Sequence, residues 1–261
     1  MTIAILREVS PAIEHCELTH LSRQPIDVNL ARLQHHRYEE ALKSLGCQVE
    51  CLQAKPDLPD SVFVEDIAVV LDEVAIITRP GAVSRRPEVP SIAAKLKVYR
   101  HLAQIEAPGT LDGGDVLVID NKVYVGLSER SNSSAIEQMQ QHLLPYGYKV
   151  CGVHVRGCLH LKSAVTLLAE ETILVNPEWV DTTVFTNMTS IAVDPREPYG
   201  ANALWIGEGV IYPGNFPRTQ YRAAIILEKL GRQFHIVDVS ELQKAEGAVT
   251  CCSLIVRQKE I

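Results

Sequence analysis

Gly114-Asp-Val-Leu-Val-Ile119 and Lys122-Val-Tyr-Val-Gly126 are two short apolar runs joined by the polar pair Asp120-Asn121. β-rich runs flanking a tight polar turn read as a β-hairpin. Residues 131–144 then carry apolar side chains near i, i+3, i+4 and i+7, which predicts a helix, and residues 149–153 predict a third strand. The unit is strand, strand, helix, strand.

The same unit recurs along the chain. Strands predicted at 62–70 and 73–78, at 163–168 and 172–175, and at 203–205 and 209–212 repeat the hairpin, with starts 40 to 52 residues apart. Helices predicted at 88–99 and 218–230 lead to strands near 105 and at 233–237. The hairpin at 163–175 has no helical period behind it. A last strand at 252–256 lacks a hairpin mate, but the strand at 2–7 can supply one, followed by a helix at 27–45 and a strand at 48–52. A repeat of this length, closed by pairing the two chain ends, predicts an α/β fold of radial symmetry. Of the radial and solenoid arrangements that such a repeat allows, joining the ends favours the closed one, so a five-bladed pseudo-symmetric α/β propeller of ββαβ repeats is expected. No linker interrupts it, so residues 1–261 read as a single domain.

Composition narrows the function. Of 261 residues, 46% are hydrophobic and 22% charged, an ordinary globular profile, and the net charge of −7 comes without any run of five like charges. That argues against a nucleic-acid surface and is neutral to mildly favourable for a small cationic substrate. Met1-Thr-Ile-Ala-Ile-Leu-Arg-Glu reads as a buried strand, not a signal peptide, and no apolar run is long enough to span a membrane. Seven cysteines without scaffold spacing point to reduced thiols and a cytoplasmic location. Cys47 and Cys51 resemble half a zinc site with no second half, so buried structural thiols and no metal are expected. A homodimer is compatible with this composition but not specified by it.

Asp66, Asp112, His160 and Cys251 fall at or near the first strand of their own units. If the first strands line a central axis, these side chains converge despite separations of up to 91 residues. Each has a bland reading as well. A cysteine in an apolar strand is ordinarily a packed hydrophobe, but Cys251 and Cys252, being adjacent, point to opposite faces of a strand. One can pack while the other faces the axis. His160, set between two leucines, reads as a partly buried imidazole with a tuned pKa. Asp112-Gly-Gly-Asp115 is not a phosphate loop, since no Lys-Ser/Thr follows and its carboxylates repel phosphate. Glu65 and Asp66 sit in an apolar stretch, where buried charge is tolerated only if paired or serving a ligand. The plain alternative is a salt bridge to an arginine such as Arg79. A thiol, an imidazole and several acids disfavour an oxyanion, as a cysteine hydrolase of amides would require, but match a guanidinium electrophile.

Six motifs carry a resemblance. They are Phe63-Val-Glu-Asp-Ile-Ala-Val-Val, Arg79-Pro-Gly-Ala-Val-Ser-Arg-Arg, Thr110-Leu-Asp-Gly-Gly-Asp-Val-Leu, Val125-Gly-Leu-Ser-Glu-Arg, Leu159-His-Leu-Lys-Ser and Thr250-Cys-Cys-Ser. In this order they resemble the dimethylarginine dimethylaminohydrolases, of the guanidine-modifying superfamily, over residues 3 to 257, with 176–245 least clear. The resemblance implies a five-bladed α/β propeller and hydrolysis of Nω,Nω-dimethylarginine or Nω-methylarginine to citrulline without a cofactor or metal. It implies Cys251 as nucleophile, His160 as general acid/base and Asp112 as the carboxylate orienting it. It places Asp66 on the guanidinium, with Asp60, Phe63 and Glu65 beside it, and Arg85 and Arg130 on the substrate carboxylate. Leu18 matches a lid residue, and Ala245 a backbone contact to the α-amino group. Arginine deiminases usually carry an acid two residues after the histidine, whereas Lys162 stands there in this chain. The other readings are a deiminase of unmethylated arginine and a catalytically silent propeller that binds arginine analogues.

Overall fold

A computed structural model describes residues 1–258; the last three residues of the expected domain, 259–261, lie outside the described part. In chain order the first strands and helices are β1 (Thr2–Arg7), α1 (Val28–Ser44), β2 (Cys47–Leu52), β3 (Ala68–Val70), β4 (Val74–Ile77), α2 (Val89–Leu96) and β5 (His101–Gln104). Then come β6 (Val116–Ile119), β7 (Lys122–Leu127), α3 (Ser133–Leu143), β8 (Lys149–His154), α4 (Leu161–Ala164), β9 (Val165–Ala169), β10 (Thr172–Val175) and β11 (Thr189–Ala192). The chain closes with β12 (Leu204–Ile206), β13 (Gly209–Pro213), α5 (Pro217–Lys229), β14 (Gln233–Val237), α6 (Ser240–Gln243) and β15 (Leu254–Arg257).

These strands form five three-stranded sheets, ordered β15-β1-β2, β3-β4-β5, β6-β7-β8, β9-β10-β11 and β12-β13-β14. In every sheet the first strand pairs antiparallel with the second, and the second pairs parallel with the third. The first sheet joins the chain ends, pairing Thr2 with Arg257 and Ile5 with Leu254. The expected closure is therefore present. A cavity of about 500 Å³ is lined by residues from β3, β6, β9, β12 and β15, one strand from each sheet, which marks it as the propeller axis.

Five apolar clusters hold the sheets together, one at each joint. Ile3, Ile5 and Val256 meet Ala75 and Ile77 between the first two sheets. Ile76 meets Val123 and Val125 at the next joint, Tyr124 meets Ile173 at the third, and Leu174 meets Tyr212 at the fourth. Ile206 and Ile211 meet Ala4 and Leu6 at the closing joint, where the inner face of α1 supplies Tyr38 and Leu42. Burial of such side chains contributes roughly 1.5–3 kcal/mol each, so the ring is held by every joint and not by one shared centre. Asp27 caps α1 by accepting from the Asn29 and Leu30 N–H groups, and Asn132 caps α3 through the Ala135 N–H.

Several expectations are corrected. The third hairpin does have a third strand, β11, reached through a single 3-10 turn (Thr182–Val184) and no α-helix. Its residues are mostly exposed, which hides the strand from a hydrophobicity pattern. The run at 62–70 is strand only from Ala68; Val64–Ile67 is a 3-10 turn. Likewise Gly113–Asp115 is a 3-10 turn before β6, α4 is one helical turn before β9, and Cys251-Cys252 is a turn before β15. The candidate side chains therefore sit on turns entering the inner strands, and alternation along a strand does not orient the two cysteines. Cys47 is buried as expected, but Cys51 is exposed.

Candidate active site

Because Asp66, Asp112, His160 and Cys251 each precede the first strand of a different blade, symmetry carries them to one end of the axis. A cleft of about 20 Å³ is lined by Cys251, His160, Asp66, Asp60, Phe63, Arg85, Arg130 and Ala245, together with Glu17, Leu159, Glu246 and Gly247. One ligand atom from each of Asp66, Asp112 and His160 lies within 4.8 Å of the others. Asp112 is fully buried behind the histidine, where His160 Nε2 donates to its Oδ2 at 3.1 Å. His160 Nδ1 faces Asp66 Oδ1 at 3.8 Å. Gly114 permits this approach: a Cβ there would fall 2.6 Å from His160 Nδ1. Its N–H instead donates to Asp66 Oδ1 at 3.0 Å.

The charges oppose and balance each other. Burial works against the His160 imidazolium, but Asp66, the hydrogen bond to Asp112 and the charge of Asp115 outweigh it and push the pKa up to about 9. Burial also works against the Asp66 carboxylate, and here His160, Arg85 and the Gly114 N–H prevail, holding it below the usual carboxylate range. Burial and the neighbouring Glu65 and Asp66 charges drive the Cys251 thiol well above its ordinary value. At neutral pH the ligand-free site is a neutral thiol facing an imidazolium and an ionised Asp66.

The salt bridge expected for the two adjacent acids is made by other partners than Arg79, whose Nη1 donates to the Gly109 carbonyl. Arg85 is the buried counter-ion of Asp66, at 2.5 Å, and also binds both oxygens of Glu88 and the Asp60 and Phe63 carbonyls. Glu65 turns away from the cleft into the axial cavity, accepting from Lys162 Nζ at 2.6 Å and Thr250 Oγ1 at 2.8 Å. Its carboxylate thus holds the residue before Cys251, and its backbone N–H donates to the Cys251 carbonyl at 3.1 Å. Leu18 is half-buried against the apolar cluster that contains Phe63 and Ala245, beside the cleft and not in its lining. Arg130 Nη2 donates to Thr19 Oγ1 at 2.9 Å, and Asp60 accepts from the Glu17 N–H.

The profile of the eukaryotic N,N dimethylarginine dimethylhydrolase family matches residues 12–191. A dimethylarginine dimethylaminohydrolase of Streptomyces coelicolor is 37% identical over 98% of this chain and 97% of its own length. This chain belongs to the dimethylarginine dimethylaminohydrolase family. The family enzyme of Pseudomonas aeruginosa, solved as a cysteine-to-serine variant complexed with citrulline, superposes with a TM-score of 0.91 at 34% identity, covering 97% of this chain and 98% of the other. A histidine-to-glycine variant of a dimethylarginine dimethylaminohydrolase, solved as an adduct with S-methyl-L-thiocitrulline, gives a TM-score of 0.90 at 34% identity, covering 98% of this chain and all of the other.

Three residues around this family site escaped the sequence reading. Asn202, on the turn before β12, donates to the Lys162 carbonyl and to Thr250 Oγ1, and its Oδ1 accepts the Thr250 N–H. It is the fifth blade's counterpart of the other candidates, and the repeat alone could have located it. Glu246 has a left-handed backbone, φ 59°, and its carboxylate accepts the N–H groups of Thr19, His20 and Leu21 at 3.0, 2.5 and 2.6 Å. It fastens the segment that carries Leu18 against the cleft. Nothing local announces a contact across 225 to 227 residues. Asp115, the second acid of Asp112-Gly-Gly-Asp115, is completely buried, and burial pushes it up to about 6.

Proposed function

We propose that this chain is a hydrolase of methylated arginine, forming citrulline and a methylamine. The observation that carries the reading is the convergence of Cys251, His160 and Asp66 on one small cleft. Its relatives' names and the citrulline in the Pseudomonas aeruginosa complex support the same substrate class. Asp66 takes the guanidinium, held in place by Arg85 behind it and Gly114 beside it. The cation lowers the cost of ionising Cys251, whose proton leaves to solvent. The thiolate then attacks the guanidinium carbon. His160, already protonated, donates to the departing amine as the carbon–nitrogen bond breaks, leaving a thiouronium adduct. Neutral His160 then takes a proton from water, the hydroxide adds to the adduct carbon, and the carbon–sulfur bond breaks as the added hydroxyl loses its proton to the departing sulfur, releasing citrulline and the Cys251 thiol.

Lys162 and Thr250 engage the Glu65 carboxylate, so it is not aimed at an unsubstituted guanidinium nitrogen. This favours methylated substrates. The test is citrulline formation from dimethylarginine, methylarginine and arginine side by side. Turnover of the methylated compounds with arginine slower by at least about tenfold, roughly 1.4 kcal/mol of discrimination, is the expected result. Preferred turnover of arginine would make the chain a deiminase, and binding without turnover would make it a silent propeller.

A second expected result concerns the thiol. Ultraviolet thiolate absorbance and iodoacetamide alkylation of Cys251 should be low at neutral pH without ligand, because burial and two acids oppose ionisation. A non-reacting guanidinium analogue should shift the alkylation midpoint downward. A thiol already fully ionised at neutral pH in the free protein contradicts this account.

A further inference from the structure

We infer that Asp115 is a positioning residue that sets both the orientation and the proton affinity of His160; the inference rests on the proposed role of His160 in this cleft. Asp115 Oδ1 accepts the N–H of Leu161, the residue after His160, at 2.9 Å. Its Oδ2 accepts from the hydroxyls of Ser128 at 2.6 Å and Ser131 at 2.7 Å. Ser131 Oγ in turn accepts the Asp112 N–H at 3.1 Å. One buried carboxylate thus grips the histidine from its own backbone and from the acid that bonds its ring.

The same carboxylate reaches the opposite wall of the cleft. Ser128 Oγ accepts the N–H groups of Arg130 and Ser131 at 3.0 and 3.3 Å, so the turn presenting Arg130 is braced on Asp115. Room for this hub is reserved by Gly126 on β7, where a Cβ would lie 2.5 Å from Asp115 Oδ1. A carboxylate buried to completion is ordinarily a cost, tolerated when its hydrogen bonds are filled and its charge serves a neighbour. Here three donors fill it, and the neighbouring charge is the His160 imidazolium. The other titratable groups facing it are Cys158, whose Sγ donates to the His160 carbonyl at 3.4 Å, and Asp112 through Ser131. Lys162 Nζ lies nearby on the Gly113 carbonyl at 3.3 Å.

The experiment is an NMR titration of imidazole-labelled protein, with the His160 signal assigned by its loss in His160→Asn. It requires no turnover, so it stands even if no methylated arginine proves to be a substrate. Asp115→Asn keeps the size of the side chain and removes the charge. It should lower the His160 midpoint by about one pH unit, tenfold in proton affinity. In protein that turns over, kcat should fall about ten- to hundredfold, by analogy with groups that orient ligating or catalytic histidines. Ser131→Ala keeps the charge and cuts the link to Asp112, so kcat should fall while the midpoint stays. Should Asp115→Asn fail to fold, Gly126→Ala reaches the carboxylate from the other side and should also move the midpoint. A His160 midpoint unchanged in the folded variant overturns the inference.

Discussion

Cys251→Ser will abolish citrulline formation and leave the fold intact, whereas Cys252→Ser will keep most of the activity and lose a little stability. The two thiols are neighbours in sequence but not in environment. Cys251 is half-buried and lines the cleft with His160 and Asp66. Cys252 is fully packed in the apolar cluster at the closing joint of the propeller, its Sγ donating to the Ala248 carbonyl at 3.5 Å. A serine hydroxyl cannot ionise near neutral pH, so the first substitution should cost on the order of 10³-fold or more in kcat. Substrate should still bind, because Asp66 and the arginines are untouched. At position 252 a serine inherits the Ala248 acceptor, which keeps the penalty near the low end of the roughly 1–3 kcal/mol for a polar group buried imperfectly. Parallel measurement of turnover and of the denaturant midpoint decides the matter. The assignment of the nucleophile fails if Cys252→Ser is the inactive variant.

The legibility of this chain follows from what each element owes to its own residues. The hairpins were readable because their strands are short β-branched runs around polar tips, as in residues 114–126, and because the unit repeats. The closing pair β1–β15 could be inferred because each end lacked a mate. β11 was not readable, since its side chains are largely exposed and no helix leads into it. The turns before the inner strands read as strand where apolar residues such as Val62, Val64 and Ile67 run on into the strand they feed. Their geometry is set by distant partners: the N–H of Glu65 on Cys251, the N–H of Gly114 on Asp66, the N–H of Leu161 on Asp115. Periodicity has no access to such bonds. Asp66, Asp112, His160 and Cys251 nevertheless lie together at the place their positions in the repeat predict, because convergence needs no more than that. Arg85 is not legible as the partner of Asp66, since an arginine 19 residues away on a 3-10 segment between hairpin and helix has no repeat position to betray it.

That partnership yields the largest expected effect on stability. Arg85→Met should destabilise the fold by about 3–5 kcal/mol, the range for removing one member of a buried ion cluster. Arg85 is buried, and its guanidinium spends every nitrogen on Asp66, Glu88 and two backbone carbonyls. Without it two buried carboxylates lose their common countercharge. Burial already raises Glu88 despite the opposing pull of Arg85, so in the variant it should rise further. The sign follows from linkage: a carboxyl whose folded pKa exceeds its unfolded value stabilises below the unfolded pKa and loses that contribution as pH rises through the folded one. The gap in stability between wild type and Arg85→Met should therefore narrow as pH falls from about 8 towards about 5. Arg130→Met offers the contrast, because among the described residues the Arg130 side chain donates one hydrogen bond, to Thr19, and makes a single longer ion pair, with Asp112 at 3.7 Å. Its loss should raise KM with little change in the unfolding midpoint. Denaturant unfolding of both variants across this pH range is the measurement. If Arg85→Met unfolds at the wild-type midpoint and alters KM alone, then Arg85 serves the substrate carboxylate and the clamp on Asp66 adds no net stability.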